Sequence, residues 1–224
     1  MSTQPVDYKI PQAILFDLDG TLVDSAPDFK QVVNSLREEE GFAPLPYTAI
    51  REQVSNGGLA LACIAFNITR EHPDLMFYRQ RVLDRYLENI GSHSCLFEGF
   101  ENVLSKLEQA NIQWGIVTNK PRLYAELLVE RLNIRAPVMV CPEDVPQRKP
   151  HPDPLFKAAS DLQIEASACW YVGDHERDIE AAIAAKMPSV AALFGYIEPH
   201  VNPQDWQADF YIQHPQDLLT LLPL

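Results

Sequence analysis

Acidic, hydroxyl, amide and ammonium side chains stand in four separate segments of the sequence, each after a short apolar run. They are Asp17, Asp19, Thr118, Asn119, Lys149, Asp174 and Asp178. If carboxylates from different segments meet, each pair about 4 Å apart repels by about 1 kcal/mol in water and about 4 kcal/mol at an effective dielectric constant near 20. A hard divalent cation removes this repulsion, and oxygen ligands alone favour Mg²⁺. The residues therefore predict a magnesium site.

The apolar runs that precede these segments are typical of buried strands. The first runs from Ala13 to Phe16 and is bounded by Pro11 and the turn-forming Asp19 and Gly20. Later runs alternate with stretches of helical periodicity and lie at residues 112–117, 138–141, 168–172, 189–193 and 210–212. Strands that alternate with helices predict a parallel sheet covered on both faces. Ligands bind at the carboxyl ends of such strands, so we expect the four segments to meet there.

Residues 26–90 have helical periodicity instead. Phe29, Val32 and Leu36 share one face of a helix, and Tyr78, Val82 and Tyr86 share a face of another, with prolines and glycines between them. The sequence therefore predicts an α/β protein, with a Rossmann-like parallel sheet core interrupted by an all-helical insert. We place the core at residues 1–24 and 92–224 and the helical cap domain at residues 25–91.

Charge and composition exclude several classes of partner. The 31 acidic residues exceed the 18 lysines and arginines and give a formal net charge of −13, which repels nucleic acid and anionic lipid. No apolar run approaches the roughly 18–20 residues of a membrane span, and the polar N-terminus does not resemble a signal peptide. The four cysteines include no C-x-x-C pair, which predicts buried free thiols in a reducing compartment. We therefore predict a cytoplasmic location and no nucleic-acid or membrane partner.

The order of the motifs resembles that of a known family. DLDGT from Asp17 follows the first strand, Thr118 follows a second, Lys149 precedes a proline, and GDxxxD runs from residue 173 to Asp178. These are similar to the four motifs of the haloacid dehalogenase superfamily of phosphatases. The helical insert after the first motif resembles the cap of the phosphoglycolate-phosphatase-like branch, and the resemblance spans nearly the whole chain. It implies a Mg²⁺-dependent phosphomonoesterase that acts through an aspartyl-phosphate intermediate.

The resemblance also implies a catalytic role for each motif residue. Asp17 is expected to be the nucleophile, and Asp19 to protonate the leaving alcohol and then activate water. Thr118 is expected to hydrogen-bond a phosphoryl oxygen, with Asn119 beside it in the substrate site. Lys149 would neutralise the charge that builds up on the phosphoryl group.

The same resemblance implies a set of metal-binding residues. Asp17, the backbone carbonyl of Asp19 and Asp174 are expected to hold Mg²⁺, with Asp178 orienting these ligands or their waters. His175 departs from the family pattern, since close relatives often carry an acidic residue there. We expect it to be an exposed loop histidine, although a histidine that titrated near neutral pH could make metal affinity pH-sensitive.

The substrate is expected to be a small-molecule phosphate ester. Asn56 and Gly57 occupy the position of the loop with which caps of this type contact the substrate. The stretches VTNKP at residues 117–121 and KPHPDPL at residues 149–155 resemble a narrower group that dephosphorylates N-acetylmuramic acid 6-phosphate, whereas the broad branch suggests 2-phosphoglycolate. Both esters carry a carboxylate. The arginines of the insert that include candidates to bind it are Arg37, Arg51, Arg70, Arg79, Arg81 and Arg85.

The sequence is also compatible with two other functions. A phospho-acceptor receiver module also gathers carboxylates, Mg²⁺, a threonine and a lysine at the strand ends of a parallel sheet. Asp19 and the long helical insert argue against that interpretation. A sugar phosphomutase of the same superfamily keeps the same motifs and differs in how its cap excludes water. Relatives with caps are often monomers or homodimers, and we expect one of these states.

Overall fold

Six parallel strands form the central sheet of the computed structural model, which describes residues 9–222. Strands are numbered along the chain, and their order across the sheet is β5-β4-β1-β6-β7-β8. Their bounds are Ala13–Phe16 (β1), Gln113–Val117 (β4), Met139–Val140 (β5), Cys169–Gly173 (β6), Ser189–Ala192 (β7) and Phe210–Ile212 (β8). They differ from the predicted runs by one residue at most at either end. The predicted α/β class and its parallel sheet are confirmed.

Nine helices occur within the described residues, and four of them separate two short strands. Val23–Asp24 (β2) pairs antiparallel with Cys95–Leu96 (β3). Between them lie Ala26–Glu39 (α1), Tyr47–Arg51 (α2), Gly57–Phe66 (α3) and Leu75–Asn89 (α4). The remaining helices are Phe100–Gln109 (α5), Arg122–Arg131 (α6), Asp153–Asp161 (α7), Glu176–Ala185 (α8) and Asp217–Thr220 (α9). The chain thus leaves the sheet after β1, builds a helical unit and returns through the β2–β3 ribbon.

Strand β1 lies in the interior of the sheet between β4 and β6, and every one of its side chains is apolar and fully buried. Successive side chains of a strand point to opposite faces. Ile14 and Phe16 accordingly belong to an apolar cluster that continues into the helical unit, whereas Ala13 and Leu15 pack with residues of α7 and α8. In register, Phe16 pairs with Ile116 and Val172. Because of this register, the carboxyl ends of β1, β4 and β6 lie side by side at the same edge of the sheet.

The apolar faces expected in the insert pack against one another. Val32 and Leu36 of α1 and Val82 of α4 are buried, and the rings of Phe29 and Tyr86 stack at 4.3 Å between centroids. The Asp28 carboxylate accepts hydrogen bonds from the backbone N–H groups of residues 91 and 93, and so ties the start of α1 to the segment after α4. The predicted domain boundaries stay a prediction, and residues 1–8 and 223–224 lie outside the described range.

Two further expectations concern the cysteines and the membrane. All four cysteines are free, and Cys141 and Cys169 are buried as predicted, but Cys95 is exposed at the edge of the β2–β3 ribbon and Cys63 is half-buried. Along residues 9–222, no helix combines the length and the apolar character needed to cross a lipid bilayer. The polar N-terminal segment lies mostly outside the described residues.

Candidate active site

Eight of the nine predicted site residues line one cavity of about 780 Å³. It lies between the carboxyl edge of the sheet and helices α3 and α4, and the eight are Asp17, Asp19, Asn56, Gly57, Thr118, Asn119, Lys149 and Asp178. The ninth, Asp174, is 1% exposed and lines a neighbouring cavity of about 310 Å³. The expected convergence of the four segments therefore occurs, because the level strand ends carry them to the same edge.

Lys149 is the buried cation of the site. Its ammonium group lies 2.9 Å from Asp17 Oδ1 and 2.7 Å from Asp178 Oδ1, and it donates to the Val117 carbonyl at 2.9 Å and to the Tyr171 hydroxyl at 2.6 Å. Burial alone would lower the pKa of Lys149, but the charges of the two carboxylates reverse this effect and raise it. Lys149 therefore remains charged and fixed beside Asp17.

Three carboxylates form a cluster around this cation. Asp17, Asp174 and Asp178 each offer an oxygen atom, and these atoms all lie within 4.8 Å of one another. Burial raises the pKa of Asp17 to about 6, although Lys149 opposes the rise. Burial and the charges of Asp17 and Asp178 raise the pKa of Asp174 to about 7. One lysine thus does not neutralise three carboxylates. Without a further cation, Asp17 and Asp174 therefore bind protons more readily than ordinary carboxylates do.

Asp174 is held from several sides. Its two oxygens accept hydrogen bonds from the Thr21 hydroxyl at 3.0 Å, the Tyr196 backbone N–H at 2.8 Å and the Ser55 hydroxyl at 3.3 Å. A Cβ atom on Gly20 would overlap its carboxylate, and Gly20 also has φ +86°, which only glycine adopts readily. The glycine of DLDGT therefore makes room for Asp174.

Asp19 lies apart from this cluster. The Ser25 hydroxyl donates to its Oδ1 at 2.5 Å, and the Lys120 ammonium contacts both of its oxygens, at 3.0 and 3.1 Å. Lys120 also lies over the rings of Phe29 and Tyr86 in the helical unit. Burial opposes the charged form of Lys120, but Asp19 outweighs this effect and the pKa of Lys120 is raised. Asp19 is therefore oriented into the cavity by a residue that also contacts the cap helices.

Thr118 and Asn119 follow β4 at the edge of the cavity. Thr118 is 3% exposed, and its hydroxyl accepts a hydrogen bond from the Lys120 backbone N–H at 3.1 Å. The next helix begins only at Arg122, so Thr118 does not cap it. Asn119 donates to the Lys149 carbonyl at 2.9 Å. This bond connects the second and third motif segments.

His175 differs from the prediction that it is an exposed loop residue. It is half-buried at the N-cap of α8, where its Nδ1 accepts from the Arg177 backbone N–H at 3.3 Å. Burial and the nearby Arg177 charge lower the pKa of His175 to about 4, so it is neutral at neutral pH. Asp178 completes the cap, since its Oδ2 accepts from the His175 backbone N–H at 3.1 Å while its other oxygen contacts Lys149.

Asn56 and Gly57 line the cavity at the start of α3, where Asn56 is the N-cap residue and Gly57 the first residue of the helix. The Asn56 side-chain amide is already engaged, because it donates to Glu198 Oε1 of the core at 2.5 Å. In the segment before it, Arg51 donates to the Phe194 carbonyl at 2.6 Å, and the Ser55 carbonyl accepts from Arg177 at 2.7 Å. These bonds hold the loop against the core, directly over the carboxylate cluster.

Comparisons with known proteins show the family of the chain. A model of the haloacid dehalogenase-like hydrolases matches residues 14–192. The chain belongs to this family. It is 39% identical over 213 residues to the N-acetylmuramic acid 6-phosphate phosphatase of Pseudomonas aeruginosa, a match that covers 94% of each chain. It is 44% identical over 215 residues to the phosphoglycolate phosphatase of Xanthomonas campestris pv. campestris, with 94% of this chain and 96% of the relative covered.

A solved structure shows the same fold. The crystal structure of a predicted phosphoglycolate phosphatase from Haemophilus somnus superposes with a TM-score of 0.81, at 24% identity, over 94% of this chain and 97% of the other. The haloacid dehalogenase-like core with its helical cap is therefore confirmed as the fold class. Together with the phosphatase relatives, it identifies the chain as a phosphatase of this hydrolase family.

Several residues of this haloacid dehalogenase-like site were not predicted from the sequence. Tyr171 lies on β6 among apolar neighbours, and nothing in its surroundings signalled contact with Lys149 and Asp178. The roles of Ser25 and Ser55 were not predictable either, because their hydrogen bonds to Asp19 and Asp174 form only in the folded chain. Lys120 was the exception. It lies two residues after Thr118, in the VTNKP segment. A lysine this close to the predicted acidic site could have been predicted to pair with one of its carboxylates.

Proposed function

We propose that the chain is a Mg²⁺-dependent phosphomonoesterase that forms a phosphoryl ester on Asp17 and hydrolyses small phosphate esters bearing a carboxylate. The observation that carries this proposal is the position of Asp17. Its carboxylate lines the substrate-sized cavity, pairs with the buried Lys149 at 2.9 Å, and lies within the cluster that includes Asp174 and Asp178. The proposed nucleophile therefore lies within a few ångströms of both a buried cation and the proposed metal ligands.

The carboxylate cluster fits a divalent cation. Its donors are all oxygens, and the charges of Asp17 and Asp178 raise the pKa of Asp174. Gly20 and Gly195 leave room for the Asp174 carboxylate. Asp17 and Asp174 would hold Mg²⁺ with the backbone carbonyl of Asp19, and Asp178 would orient these ligands. When bound, Mg²⁺ supplies positive charge against the anionic phosphoryl group and the carboxylates.

The first chemical step follows from the charge around Asp17. An oxygen of its carboxylate forms a bond to phosphorus while the ester bond from phosphorus to the alcohol oxygen breaks. The ammonium of Lys149 stays beside the reacting carboxylate and stabilises the charge on the phosphoryl oxygens. Thr118 borders the same cavity and is placed to donate its hydroxyl proton to one of them.

Asp19 serves as acid and then as base. Its protonated form gives a proton to the leaving alcohol oxygen, and the resulting carboxylate then takes a proton from the water that attacks phosphorus. The bond between phosphorus and Asp17 breaks, which restores the Asp17 carboxylate and releases inorganic phosphate. Ser25 and Lys120 hold Asp19 toward the cavity through both steps.

Two relatives support the substrate class. One is named for N-acetylmuramic acid 6-phosphate and the other for phosphoglycolate, and both esters carry a carboxylate. The cavity of about 780 Å³ falls within the roughly 300–1,000 Å³ of small-molecule sites, so it accommodates an amino sugar as well as a two-carbon acid. We therefore propose the class rather than one ester.

A kinetic comparison tests the proposal. Release of inorganic phosphate is measured with 2-phosphoglycolate, N-acetylmuramic acid 6-phosphate and hexose phosphates, each with Mg²⁺ and with a chelator. We expect Mg²⁺-dependent turnover that is fastest on the carboxylate esters. Asp17→Asn should fold and retain less than a few per cent of turnover, whereas Asp161→Asn, at an exposed ion pair, should be fully active. Interconversion of hexose 1- and 6-phosphates with little free phosphate would instead identify a phosphomutase.

The remaining proposals concern organisation. We propose residues 25–91 as the cap domain and residues 1–24 with 92–224 as the core, because α1–α4 lie between β2 and β3 and three of them, α1, α3 and α4, line the cavity opposite the sheet. The cytoplasmic location and the monomer or homodimer state remain predictions.

A further inference from the structure

Six arginines of the helical unit are candidates to bind a substrate carboxylate, and four of them are already engaged. Arg37 is buried and donates to the carbonyls of Ala43 and Ile64. Arg51 donates to the Phe194 carbonyl of the core. The other two engaged guanidinium groups form ion pairs with glutamates, Arg81 with Glu39 and Glu40, and Arg85 with Glu39 and Glu88. None of these four lines the cavity.

Arg70 and Arg79 are the two that line the cavity. Within residues 9–222, neither guanidinium has a hydrogen bond or an ion pair to another residue. Arg70 is exposed in the loop before α4, whereas Arg79 is half-buried on α4 itself and packs along Gly58. It also faces Tyr124 of the core closely enough that its charge opposes the rise that burial causes in the tyrosine's pKa. Of these two arginines, Arg79 is therefore the half-buried one, on a helix, and its guanidinium has no polar partner within the described residues.

The core side of the cavity leaves little positive charge for a second anionic group. Lys149 is paired with the carboxylate cluster and Lys120 with Asp19, while Arg177 donates to the Ser55 carbonyl and contacts the His175 ring. Arg148, the remaining cation of the lining, is exposed on the loop that carries Lys149. In a chain of net charge −13, a ligand with both a phosphate and a carboxylate requires a cation away from the phosphate.

We infer that Arg79 binds the carboxylate of the substrate and sets the preference of the enzyme for carboxylate-bearing phosphate esters. This inference rests on the proposed function, since it assumes that the phosphoryl group lies at Asp17. The guanidinium presents two parallel N–H groups that match the two oxygens of a carboxylate. Because Arg79 lies on α4, a residue of the cap determines which esters are preferred, whereas residues of the core carry out phosphoryl transfer.

Two matched pairs of esters isolate the carboxylate. 2-Phosphoglycolate is compared with 2-hydroxyethyl phosphate, and N-acetylmuramic acid 6-phosphate with N-acetylglucosamine 6-phosphate, which lacks the lactyl group. The quantity measured is the ratio of kcat/KM within each pair, because effects on folding or phosphoryl transfer cancel in it. The variants are Arg79→Gln, Arg79→Lys, Arg70→Gln and Arg148→Gln. Arg81→Gln is the control, since it makes the same change two residues further along α4.

We expect the wild-type enzyme to favour the carboxylate ester of at least one pair by about tenfold to a hundredfold, the size of a lost hydrogen-bonded charge contact. Arg79→Gln should bring that ratio close to one by slowing only the carboxylate ester, and Arg79→Lys should give an intermediate ratio. The Arg81→Gln ratio should equal that of the wild type.

Two results would overturn the assignment while leaving the proposed function intact. One is a wild-type preference that Arg79→Gln and Arg79→Lys both retain. The other is loss of the preference in Arg70→Gln or Arg148→Gln instead. A wild-type enzyme that hydrolyses both members of each pair equally would overturn the proposed substrate class and this assignment together. Absence of phosphate release from every ester would refute the proposed function itself.

Discussion

The free energy of unfolding of the metal-free protein should increase when Asp174 is replaced by asparagine. Asp174 is 1% exposed, and burial together with the charges of Asp17 and Asp178 raises its pKa from the ordinary 3.8 to about 7. The folded state therefore binds this proton more tightly than the unfolded chain does. As the pH rises from about 4 to about 7 the unfolded chain loses its proton first, so the folded state loses stability throughout this range.

The size of the effect follows from the same pKa difference. At about 1.4 kcal/mol for each pH unit, the ionised Asp174 costs the folded state about 4 kcal/mol above pH 7. Asp174→Asn removes this cost. The amide can still accept from Tyr196 and turn its NH₂ group toward the Thr21 hydroxyl, so the loss of hydrogen bonding is about 1 kcal/mol. We expect a net stabilisation of about 3 kcal/mol at about pH 8 and of less than about 1 kcal/mol at about pH 5.

Urea unfolding in the presence of a chelator measures this difference, with the fluorescence of the buried tryptophans as the signal. Asp28→Asn is the matched control, because Asp28 is equally buried and also accepts three hydrogen bonds, from the N–H groups of residues 91 and 93 and from Ser94, but lies outside the carboxylate cluster. It should lose about 2 kcal/mol at both pH values. If Asp174→Asn also destabilises the protein equally at both pH values, the repulsion between the carboxylates of the cluster is refuted.

Three further predictions follow from the site. Tyr171→Phe removes the hydroxyl that accepts from Lys149 at 2.6 Å, so kcat should fall about tenfold with KM unchanged, and an unchanged kcat would show that this bond does not position the lysine. A chelator should abolish phosphate release, added Mg²⁺ should restore it, and activity that survives complete removal of metal would exclude the metal from the reaction. Glu198→Ala frees the Asn56 amide, so KM should rise severalfold in steady-state assays while the pH dependence of kcat stays the same. A fall in kcat alone would argue against a role in holding the cap loop.

The arrangement of the site was predictable because the topology of alternating strands and helices leaves little freedom. In a parallel sheet with right-handed crossover connections, the residues that follow β1, β4 and β6 all lie at one edge of the sheet. This placement does not depend on the sequence of the connecting segments. Asp17, Thr118 and Asp174 could therefore be placed together from the strand pattern and from the spacing of polar residues. The convergence of Lys149 was predictable on the same grounds, since it follows β5 in the chain.

What the sequence did not predict depends on contacts between distant residues. The β2–β3 ribbon has two residues in each strand, too few to show a periodicity. The partners of the cap arginines could not be read from their spacing, because Arg51 bonds to a carbonyl 143 residues away and Arg81 to a different helix. His175 was expected in an exposed loop because its role as an N-cap requires knowledge of where α8 begins.

Trapping of a phosphoryl group on Asp17 tests the central claim most directly. The wild-type chain and Asp19→Asn are mixed with Mg²⁺ and a substrate ester, quenched in acid during turnover, and analysed by peptide mass spectrometry. Because Asp19 activates the water that breaks the intermediate, we predict a phosphoryl group on the peptide containing Asp17, with a larger fraction trapped in Asp19→Asn than in the wild type. Rapid release of inorganic phosphate with no phosphorylated peptide in either protein would contradict the account.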